Sequence, residues 1–326
     1  MKVFKDLNDI TDIEPTVVAL GNFDGVHVGH QELIRRCVEA AKTAGVKSAV
    51  FTFSNHPRNL MLKKRDNSNV AGSGTNSGEV KNIIYPDVKE HIMESLGVDY
   101  VFDIPFTDEV RTMTPEDFVN KLLINTFKMQ EAYCGFNYRF GFKGAGTPEM
   151  LAHMGIEQGF GVHVLSPVTI DGNVVSSTLI RRLIEEGRIE ECTKYMGRTY
   201  SVEGEVVVGN RLGKSIGFPT SNLNIDLGMV SPPNGVYITT CEYGGKTYGS
   251  ITNVGNKPTI GEFVRNIETH IFNFDKELYG KNIRVNFIKR VRPEFKFDSI
   301  DALKKQITED CVAAKAYHRA QNQHFC

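Results

Sequence analysis

The chain has 326 residues, longer than one hydrophobic core usually serves, so two domains are expected. Its 38 basic and 39 acidic side chains leave a net charge of −1, giving no electrostatic reason for a nucleic-acid or anionic-membrane partner. The six cysteines form no Cys-x-x-Cys pair, no apolar run is long enough to span a membrane, and residues 1–6 lack the apolar core of a signal peptide. Reduced core thiols, no zinc site and a cytoplasmic location are therefore the expectations.

Residues 16–20, Thr-Val-Val-Ala-Leu, form an apolar β-branched run, and residues 31–44 place Leu33, Ile34, Cys37, Val38 and Ala41 at helical spacing. Between them stands Gly21-Asn22-Phe23-Asp24-Gly25-Val26-His27-Val28-Gly29-His30, which its flanks make a strand-to-helix turn. Such a turn aims backbone N–H groups and the positive end of a helix dipole at one point, which suits a phosphate. Gly25 and Gly29 remove β-carbons that would keep a nucleotide off the backbone, and His27 and His30 bracket the point. Neither Gly-x-Gly-x-x-Gly nor Gly-x-x-x-x-Gly-Lys-Ser/Thr occurs here, so a different device is implied. Imidazoles in this place can donate hydrogen bonds as charge builds on an α-phosphate under in-line attack, which is nucleotidyl transfer. The bland alternative, a tight turn with two surface histidines, is weakened by the strand before, the helix after and the glycine-rich lead-in.

Residues 21–30 resemble the signature of the His-x-Gly-His nucleotidylyltransferases, specifically of bacterial FAD synthetases, the bifunctional riboflavin kinase/FMN adenylyltransferases. The resemblance implies that His27 and His30 contact ATP phosphates in catalysis. It also implies that Gly21, Asn22, Phe23, Asp24, Gly25 and Gly29 shape the ATP site.

Further along, Gly45 stands where a helix-ending glycine belongs, and residues 47–53 read as a second buried strand. It runs into Ser54-Asn55-His56-Pro57-Arg58. His56 and Pro57 match the family's acidic-Pro-His-Pro segment and imply a flavin contact from His56, whereas Ser54-Asn55 depart from it. Asn55 is open to two roles, a ribose or phosphate contact and a plain turn residue. Residues 63–81 are polar, glycine-rich and aperiodic, a mobile loop that is either a substrate-covering flap or a surface insertion. A helix over 86–96, a strand over 99–104, a helix from Thr114-Pro115-Glu116-Asp117 to about residue 127 and a strand over 131–134 follow.

Gly135-Phe136-Asn137-Tyr138-Arg139-Phe140-Gly141 comes directly off that strand, where open parallel sheets bind ligands. It resembles the family's Gly-x-Asp/Asn-Phe/Tyr-x-Phe-Gly segment, implying flavin contacts from Asn137 and Arg139, with Phe136 and Phe140 open to a core role. A helix from Thr147-Pro148-Glu149, a strand over 162–165 and a hairpin over 168–175 turning at Asp171-Gly172-Asn173 complete this half. Ser176-Ser177-Thr178-Leu179-Ile180-Arg181-Arg182 then opens a helix whose hydroxyls and arginine make a second anion site, simple capping by Ser177 being the alternative. Similarity to the family's Ser-Ser-Thr-x-x-Arg motif assigns Ser176, Ser177 and Thr178 to ATP and Arg181 to catalysis.

From residue 197 the pattern changes to strands over 200–208, 235–242, 246–253, 265–272 and 282–290, with glycine or proline at nearly every junction. That is a small antiparallel barrel, closed by a helix over 299–317. In Gly209-Asn210-Arg211-Leu212-Gly213-Lys214-Ser215-Ile216-Gly217-Phe218-Pro219-Thr220-Ser221-Asn222-Leu223, glycines and two cations can wrap a triphosphate, and Thr220 and Asn222 offer oxygens to a hard cation such as Mg²⁺. The run resembles the riboflavin kinase Gly-Phe-Pro-Thr-Ala-Asn-Leu motif, with Ser221 for alanine. ATP contacts from Gly209, Arg211, Gly213, Lys214, Gly217 and Pro219 are implied.

In Ile267-Glu268-Thr269-His270-Ile271-Phe272, period-2 alternation puts Glu268 on one face with His270 and Phe272. Phosphorylating a primary hydroxyl needs a base near the attacking oxygen, and a carboxylate on a rigid strand supplies one. An exposed cross-strand ion pair is the alternative, and similarity to the family's Glu-x-His-x-Phe-x-Phe segment favours the base, with His270 orienting neighbours. Arg292-Pro293-Glu294-Phe295-Lys296-Phe297-Asp298-Ser299 resembles the family's Arg-x-Glu-x-Lys-Phe-x-Ser, placing Arg292 and Glu294 near the flavin; Asn253-Val254-Gly255 and Lys257-Pro258-Thr259 match another such loop.

The expected fold is α/β: an N-terminal Rossmann-like nucleotidylyltransferase domain, residues 1–185, plus a C-terminal antiparallel β-barrel, riboflavin kinase-like, residues 186–326, with its closing helix. The resemblance implies two reactions, riboflavin to FMN and FMN to FAD, each with ATP and Mg²⁺. The expected partners are these small molecules, with no nucleic acid and no membrane, and the number of subunits is left open. A flavin- or nucleotide-binding regulator that has lost catalysis is the alternative, and retention of Glu268, Thr220, Asn222, His27 and His30 argues against it. A tRNA-charging enzyme shares His-x-Gly-His, but no Lys-Met-Ser-Lys-Ser is present.

Overall fold

The computed structural model describes residues 1–66, 78–209, 212–259 and 262–321. It divides into two compact units, one of residues 1–80 and 86–176, the other of residues 81–85 and 177–326.

In the first unit six strands make a parallel sheet. They are β1 (Lys2–Phe4), β2 (Thr16–Leu20), β3 (Lys47–Phe53), β4 (Tyr100–Ile104), β5 (Met129–Gly135) and β6 (Gly161–Leu165), in spatial order β1-β4-β3-β2-β5-β6. Every residue of β2 is buried, as expected of a strand covered on both faces. Helix α1 (Val28–Ala44) packs Leu33, Ile34, Cys37 and Ala41 inward and ends at Gly45 with φ 69°, the left-handed cap anticipated for that glycine.

Helix α2 (Pro57–Asp66) was not foreseen. Its sequence is strongly polar, and its backbone takes residues 63–66 out of the expected loop; residues 67–77 lie outside the described residues. Beyond them, Asn59 grips Val80 by both backbone groups, donating to its carbonyl at 2.9 Å and accepting from its N–H at 2.8 Å. Next come α3 (Pro86–Ser95), α4 (Asp108–Thr112) and α5 (Pro115–Asp117). The last is capped by Thr114 Oγ1 and continues as a π-helix over Phe118–Thr126, which places Phe118, Val119, Leu122 and Leu123 in the core. Helix α6 (Pro148–Gln158) starts at its Thr147 cap. The hairpin β7 (Thr169–Ile170) and β8 (Asn173–Val174) turns through Asp171 and Gly172, both at positive φ.

The second unit opens with α7 (Ser177–Glu185) and α8 (Ile189–Met196), the latter ending at Gly197. Its strands are β9 (Tyr200–Glu205), β10 (Ser221–Asn224), β11 (Gly235–Tyr243), β12 (Lys246–Thr259), β13 (Glu262–Ile271) and β14 (Asn282–Pro293), with a one-turn helix α9 (Leu212–Ser215) before β10. The order β10-β13-β12-β11-β14-β9 is antiparallel throughout, and a bridge between Val207 and Asn222 brings the two edges together, so the sheet is a nearly closed barrel. Ile267, Thr269 and Ile271 alternate with half-buried Glu268 and His270 along β13. Helix α10 (Ile300–Ala320) covers an outer cluster of Val236, Ile238, Ile251 and Phe272 with Cys311 and Ala314.

Candidate active sites

In a parallel sheet all strand carboxyl ends share one edge, and there the loops after β2, β3 and β5 carry His27, His56 and Asn137. His27 is the N-cap of α1: its Nδ1 accepts from the His30 backbone N–H at 3.2 Å, which leaves the imidazole proton on Nε2 as a donor. The His27 and His30 rings are stacked with centroids 3.6 Å apart, and Phe23 packs edge-on to His30 at 5.1 Å. Phe23 and Val26 are fully buried at positive φ, 49° and 35°, a strained turn of the kind that tertiary packing holds at functional sites. Thr52 Oγ1 donates to the Asn22 carbonyl at 2.8 Å, tying the turn to β3. A β-carbon on Gly29 would lie 3.3 Å from His27 Nδ1, and one on Gly21 3.2 Å from the Phe23 ring, so both glycines make room for the motif's own side chains.

His56 is half-buried and its Nδ1 accepts from Arg58 N–H at 3.2 Å. Asn55 Oδ1 accepts from the Phe106 N–H at 2.7 Å, so this oxygen serves the turn. Asn137 and Arg139 are exposed. Phe140 packs into the core against Phe118, whereas Phe136 is 48% exposed and is not core. Ser176 ends the first unit; Ser177, Thr178 and Arg181 stand at the start of α7, in the second. Arg181 Nε donates to the Lys81 carbonyl of that same unit at 2.7 Å.

In the barrel, Asn222 and Glu268 are cross-strand partners on β10 and β13, and Asn253 of β12 faces Glu268 from the other side. Asn222 is buried, its Nδ2 donating to the Thr220 carbonyl at 3.4 Å. Gly209 runs so close to it that a β-carbon would sit 2.5 Å from the Asn222 amide, and a β-carbon on Gly213 would meet the Phe218 carbonyl at 2.3 Å. Gly217 adopts φ 93° ahead of Pro219. Gly209 is thus packed directly on Asn222, and Gly213 on the Phe218 carbonyl. Arg211 lies outside the described residues, as do the side chains of Lys214, Lys257, Pro258 and Thr259.

The His270 ring bonds through Nδ1 to the Pro219 carbonyl at 2.8 Å, and burial holds its pKa below the ordinary value against the opposing effect of that bond, with Lys315 adding to the lowering. A neutral imidazole anchoring the Pro219 turn is an orienting group. Arg292 spends Nε and one terminal nitrogen on Asp310, at 3.1 and 2.7 Å, and its other nitrogen on the Pro293 carbonyl. Glu294 accepts from Asn234 at 2.9 Å.

Three polar partners were missed from the sequence: Asn266, Asn234 and Asp310. Asn266 donates to Glu268 Oε1 at 2.8 Å, and the alternation that singled out Glu268 also put Asn266 on its face. No comparable signal marked Asn234 or Asp310.

A parallel α/β unit with paired imidazoles at a helix entrance, joined in one chain to an antiparallel barrel with a carboxylate beside a glycine-folded asparagine, defines a two-site nucleotide-dependent transferase. Two family models match the chain: one described as FAD synthetase over residues 9–179, and one described as riboflavin kinase over residues 196–318. The chain belongs to the bifunctional riboflavin kinase/FMN adenylyltransferase family. It is 31% identical to the member from Bacillus subtilis over 93% of this chain and 92% of that one. The member from Listeria monocytogenes is 32% identical over 94% of this chain and 93% of its own. A Streptococcus pneumoniae crystal structure named as a macrolide-efflux protein superposes with a TM-score of 0.84 at 29% identity, covering 96% of this chain and 98% of that one. The efflux name stays with that protein. Among the described residues here, no helix is long and apolar enough to cross a membrane.

Proposed function

We propose that this chain makes FAD from riboflavin in two transfers: riboflavin and ATP give FMN and ADP in the barrel, then FMN and a second ATP give FAD and pyrophosphate at the parallel sheet. One observation carries the reading, namely that imidazoles stacked at the entrance of α1 and a carboxylate on β13 are built on separate units, each with its own glycine-rich turn. The functional domains are drawn at residues 1–185 and 186–326, a division supported by matched ranges ending at 179 and beginning at 196.

In the kinase step Glu268 draws the proton from the primary hydroxyl of riboflavin as that oxygen attacks the γ-phosphorus of ATP. Gly209, Arg211, Gly213, Lys214, Gly217 and Pro219 form the loop over the triphosphate. Thr220 and Asn222 supply hard oxygen donors that fit Mg²⁺, and the tight packing of Gly209 on Asn222 holds the latter in place. A Mg²⁺ ion held by these residues would supply charge neutralisation for the transferring phosphoryl group. Arg292 and Glu294 lie on the flavin side.

In the second step an FMN phosphate oxygen attacks the α-phosphorus of ATP while His27 and His30 donate to its oxygens. Gly21, Asn22, Phe23, Asp24, Gly25 and Gly29 shape that ATP site. Ser176, Ser177, Thr178 and Arg181 bind the triphosphate, and His56, Asn137 and Arg139 contact the flavin. Both steps are direct displacements needing no protein nucleophile. The partners are small molecules, and the cytoplasm, which supplies ATP, is the location.

A flavin-binding regulator would bind riboflavin without converting it. Incubating the protein with riboflavin, ATP and Mg²⁺ and separating the flavins by chromatography decides between the two: FMN appears first and FAD follows. Riboflavin recovered unchanged would rule the proposal out.

A further inference from the structure

Asn266 has no part in the roles given above. It lies on β13 two residues before Glu268, is only 3% exposed, and its Nδ2 donates to Glu268 Oε1 at 2.8 Å and to Asn222 Oδ1 at 3.3 Å. A carboxamide nitrogen has two hydrogens, and here one goes to the proton acceptor of the kinase step and the other to an oxygen assigned to the metal. The orientation of the amide follows from its partners, because a carboxylate can only accept.

The other end of the same amide is different. Asn266 Oδ1 is buried and has no hydrogen-bond partner among the described residues. In the same barrel the buried hydroxyls of Thr239, Ser250, Thr252 and Thr269 satisfy one another at 2.7 to 2.9 Å, while Arg290 Nε on β14 is a second buried atom without a partner among the described residues. A buried amide kept only for the fold is expected to have its acceptor filled as well.

We infer that Asn266 is a positioning residue of the kinase site, fixing the Glu268 carboxylate and the Asn222 carboxamide relative to each other through the two hydrogens of its amide. The inference rests on the kinase reading above.

The test uses the full chain with Asn266→Asp and Asn266→Ala. The aspartate is isosteric and keeps an acceptor, but it puts a carboxylate oxygen against Glu268 in place of a donor; the alanine removes both functions. FMN formation should fall about ten- to a hundredfold in kcat for each, and the Mg²⁺ concentration giving half-maximal rate should rise, while the KM for riboflavin stays close to the wild-type value. FAD formation from supplied FMN, on the other unit, reports that each variant is folded. In a Glu268→Gln background Asn266→Asp should cost far less than in the wild type, since residues acting as one unit are not additive.

Wild-type protein that forms no FMN removes the kinase reading and this inference together. If the wild type forms FMN and Asn266→Asp does so with unchanged kcat, or if its cost is the same with and without Glu268, Asn266 only supports the strand and the inference is overturned.

Discussion

His27 accepts the backbone N–H of His30 through Nδ1, and the two rings lie face to face with planes 15° apart. The motif is thus self-organising: the first imidazole caps the helix on which the second rides. The contact fixes the tautomer of His27, so that Nε2 carries the imidazole proton.

Replacing His30 with alanine removes a donor to the α-phosphate and leaves the barrel untouched. FAD formation should fall about 10²- to 10³-fold, the usual cost of losing one transition-state donor, while riboflavin is still converted and FMN accumulates. Chromatographic separation of the three flavins over time measures both effects in one assay.

Glu268→Ala should give the opposite pattern. FMN formation drops about 10²- to 10⁴-fold for want of a base, and FAD formation from supplied FMN continues at the wild-type rate. Folded variants that each lost both activities would show the two-site assignment to be wrong.

Arg292 and Asp310 form a bidentate pair with side chains only 14% and 6% exposed. Arg292→Ala strands a buried carboxylate and should cost about 3–5 kcal/mol in urea unfolding of the second unit. Arg188→Ala, which breaks a surface pair with Glu191, should leave the unfolding curve unchanged within error.

The five described cysteines are buried free thiols. Burial pushes Cys37, Cys192 and Cys241 up to about 12, and Cys134 and Cys311 up to about 11. The native thiols stay protonated while those of the unfolded chain ionise near their ordinary value of 9, so stability is full below that pH and is lost as pH rises toward 11 and 12. Denaturant midpoints measured from pH 8 upward should fall through this window. Substituting Cys37 by alanine should flatten the fall.

Much of the architecture was written locally. Apolar runs gave the buried strands β2 and β3, Thr114-Pro115 and Thr147-Pro148 marked helix starts, Gly45 marked a helix end, and a switch to short glycine- and proline-bounded strands marked the barrel. Each of these rests on backbone preference or periodicity within a few neighbouring residues, which a single chain displays without its fold. The His27/His30 turn was legible for the same reason: capping residue, glycines and helix are contiguous.

Elements fixed by distant partners were not legible. The three-residue β1 exists because β4 lies beside it, and the polar β10 because β13 does. α2 likewise hid in polar sequence. The kinase constellation is the clearest case: Asn222 meets Asn266 and Glu268 only through the β10–β13 register, and Arg292 finds Asp310, eighteen positions further along the chain, by the docking of α10. The sequence alone determined which chemistry-bearing residues sit on which strand, turn or helix end, since those assignments are local. Which of them share a hydrogen bond was decided by tertiary structure, because strand register and helix docking are set by burial summed over the whole unit.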